Sequence, residues 1–184
     1  MVPAELCYGV PMEQFGALLD SAGIPTGGRR IVVQTRQGRD VENYQQETLT
    51  IKDQKEQRDF SKKYPDGQGR KYRTQPDPVY NCHGMTFASR RAWIWMAQSV
   101  LDILSDDGYK PVVSWRDVLP GDILVYVGPN NDVQHSATVV AAGDEPLYVP
   151  IVCSKWGAGS EVIHAANACP YTEDGELRFY RVCP

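Results

Sequence analysis

From residue 118 onward the chain alternates apolar runs with turn signals, and this pattern constrains the fold more than any other feature. "VLPGDILVYVG" (118–128) supplies a turn and an apolar strand, and "NND" (130–132) is a hairpin signal. "VQHSATVVAA" (133–142) is a second strand, "GDEP" another turn, and "LYVPIVCS" (147–154) a third strand. "EVIHA" and "ELRFYRV" each add one more. Short links of this kind build an antiparallel meander. Pro150 cannot donate to a ladder, so it implies an edge position or a bulge in the third strand.

Ahead of the meander the period changes. Met85, Ala88, Ala92, Met96, Val100 and Leu104 recur every three or four residues, with Arg91, Gln98, Asp102 and Ser105 on the opposite side. That spacing predicts one amphipathic helix over 85–104, closed by Asp106, Asp107 and Gly108. "AWIWM" is apolar nearly all round, which puts the middle of the helix in the core. Helix followed by meander is an α+β class. Nearer the start, "MEQFGALLDSAG" (12–23) reads as a short helix, and "RRIVVQT" (29–35) and "QETLTIK" (46–52) as strands about "RQGRD". Residues 53–78 are charged and broken by Pro, Gly and Asp, which predicts an exposed helix, then a loop that gates any neighbouring cleft. The chain therefore divides into an N-terminal elaboration, 1–77, and a core, 78–184.

A chain of 184 residues with 42% hydrophobic content supports one domain with a real core. No run approaches the ~18 apolar residues of a membrane span. The start lacks a basic n-region and an unbroken apolar stretch, so no signal peptide is visible. The expectation is a cytoplasmic protein or one delivered by a leaderless route. The net charge of −4 argues against nucleic acid as a partner. Residues 36–73 carry ten Lys/Arg against seven Asp/Glu, a mildly basic strip best read as a solvated face. The five cysteines, at 7, 82, 153, 169 and 183, are odd in number and contain no C-x-x-C pair. Cys169 and Cys183 are the candidates for one disulfide, which would still leave a thiol unpaired.

Cys82 sits in "PVYNCHGMTF", after a proline-broken loop and at the start of the predicted helix. A thiol is a useful nucleophile only as thiolate, and a helix start offers unpaired N–H groups that favour one. The same donors suit the oxyanion of an attacked carbonyl. The base must be one of three histidines. His83 adjoins Cys82, and neighbouring helical side chains diverge by ~100°. His135 opens a strand expected to pack on the helix, which makes it the better base. Asn81 and Tyr80 flank the thiol, and their plainer roles are loop capping and core packing. A zinc site is disfavoured, because "NCH" lacks the closely spaced pairs such sites use.

"NCHG", then "LPGDILVY", then "QHSATVV", resembles the NlpC- and CHAP-type branch of the papain-like cysteine hydrolases over residues 78–156. The resemblance implies a central buried helix packed on an antiparallel sheet, Cys82 as nucleophile, His135 as general base and no cofactor. It implies cleavage of an amide bond, in a peptidoglycan peptide or a protein, and suits a lysin, a remodelling enzyme or a secreted effector with a dedicated inhibitor or immunity protein. A third residue would orient the imidazole. Ser154 in "VCSKWG", His164 in "VIHAAN" and a backbone carbonyl are the rivals, whereas Lys155 is a pure donor and cannot accept from it. Two other functions fit the same residues: a deamidase, transglutaminase or acyltransferase using the same dyad, or an inactive binding module.

Overall fold

The computed structural model describes residues 28–172 and 175–182. The predicted helix over 12–23 lies outside the described residues, as do Cys7 and Cys183, so the Cys169–Cys183 pairing falls partly outside them. The protein is α+β. Strands β1 (Gly28–Arg29) and β2 (Gln45–Gln46) pair with each other. The main sheet has seven strands: β3 (Arg70–Tyr72), β4 (Tyr109–Val112), β5 (Ile123–Val127), β6 (Val133–Ala141), β7 (Ile151–Lys155), β8 (Glu161–Ala165) and β9 (Glu176–Val182). They lie in the order β3-β8-β7-β6-β5-β9-β4, and every neighbouring pair is antiparallel.

The five strands expected from 118 onward are all present. Pro150 lies just before β7, an interior strand, and the local irregularity is on its partner, where the β6–β7 register shifts between Val139 and Ala141. The N-terminal strand readings were too generous. Beyond Arg29 the stretch to residue 35 carries only a bridge from Gln34 to Asp40. Residues 51 and 52 already belong to helix α1 (Ile51–Lys63). Thr50 sets that start: its hydroxyl accepts from the Asp53 amide while the Asp53 carboxylate accepts from the Thr50 amide, a reciprocal cap. Helix α1 buries none of its residues, as its composition predicts, and leans Phe60 and Tyr64 on Trp156. Residues on both sides of position 77 build the core: β3 is an edge strand of the sheet, and Val33 and Val41 pack with Ile94, Val100 and Val125.

The single helix over 85–104 is not formed. It is two helices, α2 (Cys82–Phe87) and α3 (Ala97–Asp106), separated by an extended segment. Ser89 and Arg90 are left-handed, at φ 50° and 63°, and turn the chain out of α2. Residues 92–94 are buried as expected, but as a strand-like piece. Trp93 exchanges backbone hydrogen bonds with Tyr44, and Ile94 exchanges both of its backbone groups with the Asn81 side chain. An apolar run flanked by aromatic and β-branched residues fits either state, and here tertiary pairing decides. Gly84 permits the return: a Cβ there would overlap the Ala92 carbonyl.

The sheet separates two cores. One face packs Ile123, Val125 and Val127 under Val100, Ile103 and Leu104 of α3. The other holds Leu124, Tyr126, Ala137, Val139, Val152 and Phe179.

Candidate active site

Helix α2 lies on the α3 side of the sheet, against β6 and β7. His83 fixes it there through a directed chain. Thr86 Oγ1 donates to the Cys82 carbonyl (3.0 Å), and Ser136 Oγ donates to Thr86 Oγ1 (3.0 Å). The Ser136 oxygen must then accept from His83 Nδ1, at 2.9 Å, which puts the His83 proton on Nδ1. Burial pushes His83 down to about 3, so it is a neutral tie between helix and sheet.

Cys82 begins α2. Asn81 caps the helix by accepting from the Gly84 amide at 2.9 Å, and its other bonds go to Ile94, so Asn81 has the capping role and holds the following chain. The thiol is 1% exposed. Burial pushes it up to about 12, opposed by the nearby backbone amides of Ser136, His83 and Cys82 itself and by the charge of Lys155. Placement comes from His83, whose bond to the Ser136 hydroxyl sets the helix start beside the residue that follows His135.

His135 is opposite Tyr126 on β5, and residues alternate faces along a strand. Ser136 therefore meets α2, while the imidazole lies on the other face, 4.3 Å from the Tyr171 ring centre and nearly parallel to it. It is 0% exposed, and neither ring nitrogen has a hydrogen-bond partner among the described residues. Desolvation, with His83 and His164 nearby, holds it well below the usual histidine range. Cys82 is not hydrogen-bonded to the ring. The expected arrangement, with the helix start facing His135 across a cleft, is not formed: register places the imidazole on the opposite face of the sheet from α2.

Ser154 and His164 share the His135 face but bond to each other. His164 Nδ1 donates to the Ala165 carbonyl at 2.8 Å, so its Nε2 accepts from Ser154 Oγ, also at 2.8 Å. Trp156 Nε1 donates to the same hydroxyl. Burial lowers His164 to about 4. Neither rival is hydrogen-bonded to His135.

Sequence reasoning missed the polar cluster on the α2 side. Glu161 is 1% exposed and accepts from Arg90 Nε (2.5 Å), Arg73 Nη1 (2.9 Å) and Tyr80 OH (2.9 Å). Lys155, its register partner, is buried beside it. The legible signal was parity: in "CSKWGAGSEV", Lys155 and Glu161 bracket a hairpin on the same side as inward-facing Cys153. Among the described residues no three His, Cys, Asp or Glu side chains group to hold a metal.

Comparison with family models, with curated proteins and with solved structures returns no match to this chain.

Proposed function

We propose that the protein is a cysteine hydrolase of the papain-like, NlpC/CHAP type, which cleaves an amide bond in a peptidoglycan peptide or a protein. The observation that carries this reading is the His83–Ser136 hydrogen bond at 2.9 Å, because it sets the start of α2, and with it Cys82, beside the strand residue next to His135. His135 takes the Cys82 thiol proton, the resulting thiolate attacks the carbonyl carbon, and electrons move to its oxygen. The intermediate collapses as His135 protonates the leaving amine, leaving a thioester on Cys82. Water, deprotonated by His135, then releases the acid and restores the thiol. His164 is the candidate third residue, and to orient the His135 ring one of its nitrogens must exchange its Ser154 or Ala165 partner.

In this reading the conformation described is a closed one. A reacting pair needs a hydrogen bond between Cys82 and His135 and a route for substrate. Displacement of Tyr171 opens the His135 ring, and the ring must then also pass from the Tyr126 face to the α2 face to reach Cys82.

A second reading is an inactive papain-like module. It is favoured by the same closure, with Cys82 and His135 each sealed and not hydrogen-bonded to one another. Incubation with purified peptidoglycan and with a denatured protein mixture, with and without a free amine, separates the two by mass spectrometry. Hydrolysis adds water at the cleaved bond, transfer adds the amine, and Cys82→Ser abolishes either. Unchanged muropeptides eliminate the wall substrate; unchanged muropeptides and peptides together leave the binding module.

A further inference from the structure

Lys155 ends β7 and is 0% exposed, yet no carboxylate among the described residues lies within ion-pair distance of its ammonium. Its natural partner would be Glu161, directly opposite on β8 and on the same face. Glu161 is instead engaged by Arg73, Arg90 and Tyr80. The Lys155 ammonium donates to the Gly159 carbonyl and stands 4.7 Å from the centre of the Tyr80 ring. A buried cation with one carbonyl and one ring is poorly compensated, because charges leave water at low cost only when paired. The arrangement asks for an anion.

Two features bring that position to Cys82. The β6–β7 ladder has its last rung at Ala137 and Ser154, so Lys155 comes level with Ser136, whose hydroxyl holds His83 and with it the start of α2. Tyr80, under the ammonium, precedes Cys82 by two residues. We infer that Lys155 is the counter-cation of the Cys82 thiolate, a positioning charge that stabilises the ionised sulfur once the site opens to solvent. The inference rests on the reading of Cys82 as nucleophile.

The surrounding charges are consistent with this. Burial is the one influence that raises the Cys82 thiol, and opening removes it; Lys155 and the three amides remain, and each favours the thiolate. The groups facing Lys155 are Asp77, Glu161, Cys82 and Asp53, and all four favour its charged form against desolvation, which lowers it to about 8. It is therefore protonated at neutral pH. Burial pushes Cys169 up to about 12, so it is uncharged at neutral pH and does not oppose a Cys82 thiolate. On ionisation the thiol proton passes to His135, as the proposed mechanism requires, and the ammonium keeps its own.

The test is the pH profile of Cys82 carboxamidomethylation by iodoacetamide, resolved from the other cysteines by peptide mass spectrometry, on the full chain. Only the open thiolate reacts, and because the closed form holds the thiol protonated, the opening equilibrium raises the observed midpoint; that displacement is common to wild type and variants, so their difference reports Lys155. Lys155→Gln, which keeps a donor for Gly159, should raise the midpoint by about one unit. Its rate at pH 7, relative to its own plateau, then falls about tenfold. Lys155→Met should behave alike, and Lys155→Arg should keep the wild-type midpoint. A midpoint that the neutral variants leave in place overturns this inference alone. Cys82 alkylation at pH 7 no faster than that of Cys153 and Cys169 overturns the nucleophile reading with it. If all three variants fail to fold, Lys155 is structural and the inference falls; if only the neutral pair fails while Lys155→Arg keeps the wild-type midpoint, the charge requirement stands.

Discussion

Glu161→Gln is the substitution whose cost the structure specifies best. The carboxylate is buried, while Arg90 and Arg73, which donate to it, have side chains 46% and 51% exposed. Gln keeps the volume but removes the charge, and its amide nitrogen would face donors where a carboxylate oxygen now accepts. A hydrogen bond to a charged group is worth about 1.5–3 kcal/mol, and breaking a fully buried pair costs about 3–5 kcal/mol. The half-exposed guanidinium groups recover hydration, so the lower end applies, about 3 kcal/mol. At roughly 2–4 °C per kcal/mol for a chain of this size, Tm should fall by about 6–12 °C. Urea unfolding at pH 7 measures the difference, with an unchanged slope showing that only stability has moved. The sign with pH is also fixed. Burial acts to raise the Glu161 carboxyl, but its bonds to Arg90 and Tyr80 outweigh that and hold it below its ordinary value. Its contribution is therefore complete above the unfolded carboxylate range and is lost as pH falls through the lower folded value, so wild type and variant should converge in acid. A difference under about 1 kcal/mol at pH 7, or a gap that widens in acid, would refute the assignment of Glu161 as the ionised hub of this cluster.

Three further outcomes follow. Gly84→Ala sets a methyl into the Ala92 carbonyl, so unfolding stability should drop by more than about 3 kcal/mol by urea titration, against about 1 kcal/mol gained by Ala over Gly in an exposed helix. His83, His135 and His164 are all held low, chiefly by desolvation, and must charge on unfolding. Stability should fall with decreasing pH below about 6.5, at up to ~1.4 kcal/mol per unit for each histidine, and His135→Gln should reduce that slope by about a third between pH 6 and 5. Tyr171→Ala removes the ring stacked on His135, and the rate of His135 modification by diethyl pyrocarbonate should rise more than about tenfold; a closed site held by other residues would leave it unchanged.

What the sequence disclosed follows from how local each signal was. The meander from β5 to β8 was legible because strand and turn residues alternate at short range; the place of β9 was not, since it crosses back to pair with β5 and β4 instead of extending from β8. The break between α2 and α3 was not, because the 3–4 spacing from Met85 to Leu104 continues through it. The break is set by Tyr44 and Asn81, which bond to Trp93 and Ile94 from elsewhere in the chain. Cys82 at a helix start was readable from Asn81 and the preceding proline. The Lys155–Glu161 pair was visible as residues but not as neighbours, since its meaning depends on β7–β8 register and on which side chains reach Glu161 first.

The face of His135 shows how one residue of register governs the candidate chemistry. Ser136 and His135 are adjacent, so one must point to α2 and the other away. Ser136 takes the α2 side because His83 and Thr86 use its hydroxyl, and this consigns the imidazole to the Tyr126 face. Cys82, at the start of α2, is held on the Ser136 side by the His83 bond to the Ser136 hydroxyl. A buried imidazole with two unpaired nitrogens costs about 1–3 kcal/mol for each unmet group. That energy favours any motion that gives His135 a donor or acceptor. Stacking by Tyr171 keeps the ring dry on its own face, and any reaction with Cys82 requires the imidazole to leave that face as well.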